Sequence, residues 1–336
     1  MTNERSGNIR TPILVTGGAG YVGSHACKAL FQAGYLPVVY DSLERGHRWA
    51  VQWGPLEVGN LHDRKRLDEV LIKYKPTAVL HFAAYAYVGE SVIKPADYYW
   101  NNLAGTVSLL NALVDAGVKR LVFSSTCATF GIPESLPITE DNPQRPINPY
   151  GASKMMIERV LADFDNAYGL KSITLRYFNA AGADPEAEIG EAHEPETHLI
   201  PLALLAAIDK QFSLNVFGTD YPTIDGTCVR DYVHVSDLAN AHLLALKYLD
   251  NGGGTCCLNL GTGKPCSVNQ VINAAMEVTG QKINVIKGPR RPGDPPYLVA
   301  DPTRAIHVLG WTPQYPQIKT QIEHAWKWLL KIRAYK

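Results

Sequence analysis

Tyr150 and Lys154, four residues apart in the stretch Asn148-Pro149-Tyr150-Gly151-Ala152-Ser153-Lys154, carry the most pointed chemistry in this sequence. On a helix, positions i and i+4 share a face, so a phenol and an ammonium would stand side by side. A free tyrosine titrates near pH ~10 and is a poor base at neutrality. A neighbouring ammonium favours the phenolate and brings it into range for proton abstraction. The lysine could also hold a ribose through its other donors. Upstream, Leu121-Val122-Phe123-Ser124 reads as a strand that runs into Ser125-Thr126-Cys127-Ala128-Thr129. Its hydroxyls would emerge at the carboxyl end of a sheet strand, where open α/β folds bind ligands. A lone Tyr-x-x-x-Lys is a common coincidence, and strand-end hydroxyls often cap nearby backbone instead. Together they outline a proton-transfer site.

A second cluster lies near the start. Gly17-Gly18-Ala19-Gly20-Tyr21-Val22-Gly23 spaces glycines at 17, 20 and 23, where a strand ends and a helix begins. Such a loop needs one glycine for the tight turn, one for approach to a pyrophosphate and one for helix–strand packing. The helix N-terminus then offers free amides to the phosphates. The next strand ends in Asp41, 18 residues past Gly23. A carboxylate there accepts hydrogen bonds from a ribose diol and repels a 2′-phosphate, which predicts NAD rather than NADP. Arg45 is a nearby counterweight that could tolerate a phosphate, and Asp41 could also be a plain turn residue.

These clusters need rigid elements to hold them. Strands are predicted at 13–16, 37–40, 78–81, 120–123 and 172–176, and helices at 21–33, 97–116 and 153–168. Alternating strands and helices rich in β-branched runs imply a doubly wound parallel sheet, an α/β Rossmann architecture. Residues 1–180 form this NAD-binding domain, with a polar tail over 1–11. Residues 181–336 form a smaller α/β substrate lobe, with helices at 199–207, 236–249, 268–278 and 318–330. Segments near 213–217 and 231–260 are expected to return to the first domain.

Composition sets outer bounds. Lysine plus arginine equals aspartate plus glutamate at 32 each, so no global field draws the chain to nucleic acid or anionic lipid. The first eleven residues lack an apolar core and no stretch reaches about 18 apolar residues, which argues against secretion and a membrane span. Six scattered cysteines without a Cys-x-x-Cys pair suit reduced thiols in the cytoplasm. The ten histidines show no His-Glu-x-x-His and no tight cluster, so no metal is expected.

From about Ile13 to Trp328 the chain resembles the UDP-sugar 4-epimerases of the extended short-chain dehydrogenase/reductase family, with both glucose/galactose and xylose/arabinose branches. The resemblance rests on VTGGAGYVGSH (15–25), HFAAYAYVGES (81–91), YYWNN (98–102), FSSTCATFG (123–131), NPYGASK (148–154), LRYFNAAGADP (175–185), GTDYPTIDGTCVRDYVHVSDLA (218–239) and RRPGD (290–294). It implies that Tyr150 is the base, Lys154 its electrostatic partner and ribose ligand, and Thr126 the stand-in for a catalytic serine. It implies NAD bound by Gly17, Gly20, Tyr21, Val22, Gly23 and Asp41, with Asn60 at the adenine and Asn101 and Phe178 on the nicotinamide side. Leu61, Phe82, Ala83 and Ala84 complete that set. Ala86 departs from the family, where many members place a lysine against the cofactor. On the substrate side the resemblance gives Asn179, Leu199, Arg230, Arg291 and Asp294, the arginines on the diphosphate and the aspartate on the uridine ribose. Leu298 stands where residue size varies with N-acetyl substrates.

The implied reaction interconverts UDP-glucose and UDP-galactose. Hydride leaves C4 for NAD, the 4-ketose turns over, and hydride returns to its other face. A UDP-xylose/UDP-arabinose substrate is the alternative. A nucleotide-sugar 4,6-dehydratase fits less well, because Cys127-Ala128 replaces the Asp-Glu pair such enzymes use. A net dehydrogenase or a non-catalytic NAD sensor are further readings, and the intact Thr126, Tyr150 and Lys154 set speaks against the sensor. By analogy a homodimer is expected through helices 97–116 and 153–168.

Overall fold

The computed structural model describes residues 10–291 and 294–334. The polar tail expected over 1–11 thus falls largely outside the described residues, as do Pro292 and Gly293 of the Arg-Arg-Pro-Gly-Asp stretch.

Short apolar runs form the core sheet. It comprises β1 (Pro12–Thr16), β2 (Leu36–Asp41), β3 (Leu56–Val58), β4 (Ala78–His81), β5 (Arg120–Thr126), β6 (Lys171–Tyr177) and one later strand, Cys256–Leu260. All pair in parallel, in the spatial order β3-β2-β1-β4-β5-β6 with Cys256–Leu260 beyond β6. Successive strand residues point to opposite faces, and both faces are dry. Ile13, Val15, Val39, Leu80 and Val122 join one apolar core, while Leu14, Val38, Tyr40, Val79, Leu121 and Phe123 join the other. This double burial is why the strands read as unbroken apolar runs.

Helices cover both faces. They are α1 (Tyr21–Gln32), α2 (Arg64–Tyr74), α3 (Val88–Ile93), α4 (Pro95–Tyr98), a π-helical stretch (Tyr99–Ala104), α5 (Gly105–Asp115) and α6 (Pro149–Tyr168). Two details differ from the sequence reading. The helix expected from residue 97 opens at Pro95 and widens into the π stretch. Helix α6 begins at Pro149 rather than 153, because Asn148 caps it by accepting the Gly151 N–H at 2.8 Å. Helix α2 was not foreseen: its sequence is mostly charged, and only Leu67, Val70 and Leu71 turn inward.

Beyond β7 (Asn179–Ala181) the chain builds the second lobe with α7 (Leu199–Ile208), β8 (Leu214–Phe217), β9 (Val229–His234), α8 (Val235–Asp250) and β10 (Cys256–Leu260). It continues through β11 (Pro265–Ser267), α9 (Val268–Thr279), β12 (Val285–Gly288), β13 (Tyr297–Leu298), α10 (Thr303–Leu309) and α11 (Ile318–Ala334). Helix α8 packs on the large sheet beside α1, and β10 is its outer strand on the β6 side. Residues 213–217 do not return to that sheet, contrary to expectation. Strand β8 pairs in parallel with β12, and its Leu214 and Val216 are buried against α7 and α9. Those two apolar residues find their core inside the second lobe, so nothing draws the strand back.

Strand β9 is the central strand of the second lobe's four-stranded sheet and pairs with β7, β11 and β13. Its Asp231 is fully buried and accepts from the Thr262 N–H (2.8 Å), the Thr262 hydroxyl (2.7 Å), Gly263 N–H (3.0 Å) and Ala300 N–H (3.2 Å). This one carboxylate ties β9 to the loops after β10 and β13. Asp231→Ala strands those amides, and unpaired buried donors cost about 1–3 kcal/mol each. We expect a loss of roughly 3–5 kcal/mol, read as a lower denaturant midpoint, whereas an exposed control such as Asp163→Ala leaves it unchanged.

Candidate active site

The strand order reverses between β1 and β4, which opens a crevice at their carboxyl ends. There, between the sheet and the second lobe, lies a cleft of about 1390 Å³.

Its reactive wall is built where α6 meets the end of β5. Because α6 starts at Pro149, Tyr150 sits in the first turn and faces the β5 exit. Gly151 makes the approach possible: a Cβ there would come within 2.4 Å of the Ala128 carbonyl oxygen. Tyr150 and Thr126 both line the cleft, and the Thr126 hydroxyl oxygen accepts the Ala128 N–H at 3.1 Å. Lys154, one turn on and buried, donates from Nζ to the Ser124 carbonyl at 2.8 Å and lies 4.8 Å from the Phe123 ring centre.

The electrostatics differ from the expected phenol–ammonium pair. Burial pushes the Tyr150 phenol well up, with the Tyr177 phenol adding and the Thr126 hydrogen bond opposing. Burial also pulls the Lys154 amine down to about 7, against the pull of Glu158. Lys154 therefore does not lower the Tyr150 pKa in this state. Low polarity penalises each charged form more than their separation rewards the pair.

The opposite wall is the glycine loop. Gly17 has a φ of +72°, and a Cβ there would lie 2.5 Å from the Ala83 nitrogen; at Gly23 it would lie 2.2 Å from the Gly17 carbonyl oxygen. Helix α1 has Gly20 at its N-cap, hence no side-chain cap, and no acidic residue in its first turn. Its leading amides, at Tyr21, Val22 and Gly23, are thus open to an anion. Asp41, buried at the end of β2, accepts from the Ala19 N–H (3.0 Å) and the Leu43 N–H (2.9 Å). Arg45 pairs instead with Glu90 at 2.7 Å and lies against the Tyr85 and Tyr87 rings. The loop fits a dinucleotide. Phe82, Ala83 and Ala84 after β4, and Asn60 and Leu61 after β3, line the same trough. Asn101 reaches it from the π stretch and donates to the Asn102 side chain at 3.0 Å.

On the second lobe, Asn179, Leu199, Arg230, Arg291, Asp294 and Leu298 line the cleft, with Phe178 buried at its floor. Arg230 and Asp294, given separate tasks by the sequence, form an ion pair with each other. Arg230 also donates to the carbonyls of Val229 (2.7 Å) and Pro295 (3.0 Å). Arg291 is exposed, with its guanidinium 4.2 Å from the Phe217 ring centre. Every predicted site residue lines this one cleft except Lys154, which lies behind Tyr150.

Residues 13–261 match the family described as NAD dependent epimerase/dehydratase. The chain belongs to that family. It is 54% identical over 316 residues to the UDP-glucose 4-epimerase of Rhizobium meliloti (strain 1021), covering 94% of this chain and 96% of that one. The crystal structure of UDP-glucose 4-epimerase from Brucella ovis in complex with NAD superposes with a TM-score of 0.92 at 50% identity, over 94% of this chain and 98% of that one. A UDP-glucose 4-epimerase from Stenotrophomonas maltophila, solved with bound NAD and formylated UDP-arabinopyranose, gives 0.94 at 38% identity, over 97% and 100%.

Within this family fold, two groups of positioning residues escaped the sequence reading. Asn102, fully buried, accepts the Tyr85 N–H at 2.8 Å and donates to the Tyr85 carbonyl (3.0 Å) and the Ser153 hydroxyl (3.2 Å). It thereby locks the π stretch, the loop after β4 and α6 together; its only sequence signal was the Asn-Asn doublet. His81, held neutral by burial at about 3, bridges Thr16 (2.6 Å) and Thr106 (2.9 Å). The expectation that the histidines form no cluster also fails. His193 and His198 meet Glu191 and Glu196 in the loop after β7, a grouping visible beforehand only as Glu-x-His-x-x-Glu-x-His.

A buried lysine held near 7 leaves a signature in stability. The unfolded chain binds its proton up to about 10.5 and the folded chain releases it near 7. Stability therefore rises with pH across that window, and below it the full penalty stands. We expect Lys154→Met to stabilise the NAD-free protein most at and below pH 7, with the gain shrinking toward pH 10.5. Denaturation midpoints of both proteins across that range measure it, and a pH-independent difference would contradict the assigned burial.

Proposed function

We propose that this chain is a UDP-glucose 4-epimerase that works with NAD and interconverts UDP-glucose and UDP-galactose. The observation that carries the reading is that Tyr150, Thr126 and the glycine loop line one and the same cleft. When bound, NAD supplies a hydride acceptor that can return the hydride, so no net redox change results.

The protein's own residues handle the proton. Tyr150 takes it from the sugar 4-hydroxyl and later gives it back, while Thr126 shares a hydrogen bond that fixes the phenol's direction. Lys154, poised near 7, can hold the proton that the phenol must shed first. The pair is then neutral overall whether the proton sits on oxygen or nitrogen. Arg230 and Arg291 hold the diphosphate, where guanidinium geometry matches phosphate oxygens. Asn179 contacts the phosphate or sugar, and Asp294 exchanges its arginine for the uridine ribose. Gripping the diphosphate while leaving the ring loosely held lets the ketose turn over without escaping.

Dehydration is disfavoured by Cys127, next to Thr126. Burial pushes its thiol up to about 12, so it stays protonated and cannot serve as the base of an elimination. Relatives at about 50% identity that are UDP-glucose 4-epimerases favour the hexose over the pentose reading.

The cytoplasm is the proposed location, supported by six unpaired cysteines; among the described residues no helix is long and apolar enough to cross a membrane. A homodimer through the helices over 97–116 and 153–168 is supported by exposed Trp100 and Met156 on them.

Purified protein given UDP-galactose and, separately, UDP-xylose, with epimers resolved chromatographically, tests the substrate. We expect faster turnover of the hexose, and a preference for the pentose would overturn that choice. Tyr150→Phe is expected to cut kcat on the order of 10²–10⁴-fold with NAD and UDP still bound. Thr126→Ser is expected to keep most activity and Thr126→Val to lose about tenfold or more.

A further inference from the structure

The loop between β7 and α7 walls one end of the cleft and brings together four side chains that the reaction does not use. Glu191, His193, Glu196 and His198 each offer one ligand atom, and all four atoms lie within 4.8 Å of one another. Glu191 Oε1 is 2.9 Å from His193 Nδ1 and 2.7 Å from His198 Nδ1. Glu196 places Oε1 3.1 Å from His198 Nδ1 and Oε2 3.9 Å from His193 Nδ1. Both rings thus aim the same nitrogen at one point, flanked by two carboxylates.

The arrangement is built rather than incidental. The Glu191 and Glu196 side chains are only 8% and 12% exposed. Trp328 of α11 donates to the Glu191 carbonyl at 2.9 Å, and the His47 ring meets the Ala192 carbonyl at 2.7 Å. Glu196 Oε1 also accepts the N–H groups of Thr197 (2.7 Å) and His198 (2.8 Å), which fixes its orientation. The Tyr21 and Tyr87 rings meet the His193 ring in T-shaped contacts.

Two carboxylates this close and this dry need positive charge between them. Two imidazolium rings could supply it, but their centres are 5.1 Å apart and their charges would repel. One dication satisfies all four groups with both rings neutral, and the charges cancel. A tetrahedral ion with bonds of about 2.0–2.1 Å spaces its ligands roughly 3.4 Å apart, so the histidine–carboxylate separations of 2.7 to 3.9 Å need only modest side-chain shifts to accept one. Mixed imidazole and carboxylate donors suit first-row transition metals, zinc among them. All four positions come from protein, the mark of a structural rather than catalytic ion.

We propose that this loop binds one transition-metal dication, zinc by preference, through Nδ1 of His193 and His198 and one carboxylate oxygen each from Glu191 and Glu196. The ion pins the cleft wall that faces Tyr21 of the glycine loop. It takes no part in proton or hydride transfer, and the inference is independent of which sugar the enzyme accepts.

Full-length protein, freed of any affinity tag, tests this directly. After dialysis against dipicolinate and reloading with zinc, elemental analysis is expected to find one equivalent per chain. Chelation is expected to lower the melting midpoint by several degrees and zinc to restore it, since a ligand that binds only the folded state stabilises it. Cobalt in place of zinc is expected to give the strong visible absorption of a tetrahedral N2O2 centre. His193→Ala/His198→Ala is expected to lose the metal and the zinc-dependent shift, and Glu191→Gln to weaken both. Should either variant fail to fold, the chelation and cobalt measurements on the unaltered protein decide alone. Well under one equivalent after reloading, with a melting midpoint indifferent to zinc and chelator, would overturn the proposal. So would full zinc occupancy in a folded double variant.

Discussion

The close approach of α6 to the carboxyl end of β5 is the constraint on which the rest of the site depends. It exists because position 151 has no Cβ to strike the Ala128 carbonyl, and because Asn148 and Pro149 start the helix early enough to put Tyr150 in its first turn. A start at residue 153 would leave Tyr150 in a loop, without the face it shares with Lys154. The same approach makes the site dry. Dryness raises the phenol and lowers the amine, so the phenol rests neutral and the amine gives up its proton near pH 7. A proton-transfer pair held in this neutral state responds to any positive charge that enters the cleft, because a cation there favours phenolate over phenol.

Around that pair the fold separates what must be rigid from what must yield. The glycine loop, Asp41, Asn102 and His81 sit on or directly behind sheet strands, with side chains fixed by two or more hydrogen bonds at Asp41, Asn102 and His81. The substrate-facing arginines sit on the second lobe. There, Arg230 already spends its charge on Asp294, and Arg291 rests on an aromatic ring rather than on a carboxylate. In the proposed function, a diphosphate would compete with Asp294 for Arg230, whereas among the described residues Arg291 has no carboxylate partner. The proposed recognition would thus be graded between the two arginines.

Much of this was legible in the sequence. The period of buried strands, the glycine spacing and the Tyr-x-x-x-Lys pair are local patterns, and local patterns survive translation into structure because each rests on one turn of helix or one pleat. The misses share a physical cause. Helix α2 hides its three inward residues among charges, and β8 was assigned to the wrong sheet because an apolar strand does not say which core it serves. The Arg230–Asp294 ion pair, the Asn102 lock and the Glu191/His193/Glu196/His198 cluster depend on side chains meeting across turns and lobes. Spacing alone cannot fix such meetings. The direction of the Tyr150 shift was missed for a related reason, since burial, which sequence reports only coarsely, outweighed a partner that sequence reports well.

The two halves of the site finally explain each other. An epimerase must hold its intermediate firmly enough to prevent escape and loosely enough to present both faces. Rigid contacts to the ring would bind ground state and transition state alike and would resist the turn, so they would not accelerate the reaction. In the proposed arrangement, charged anchors on the diphosphate, with Tyr150 and Thr126 as the polar contacts at the reacting carbon, would meet both demands. The same phenol can then serve either face, because what changes between the two half-reactions is the orientation of the ring and not the position of the protein group.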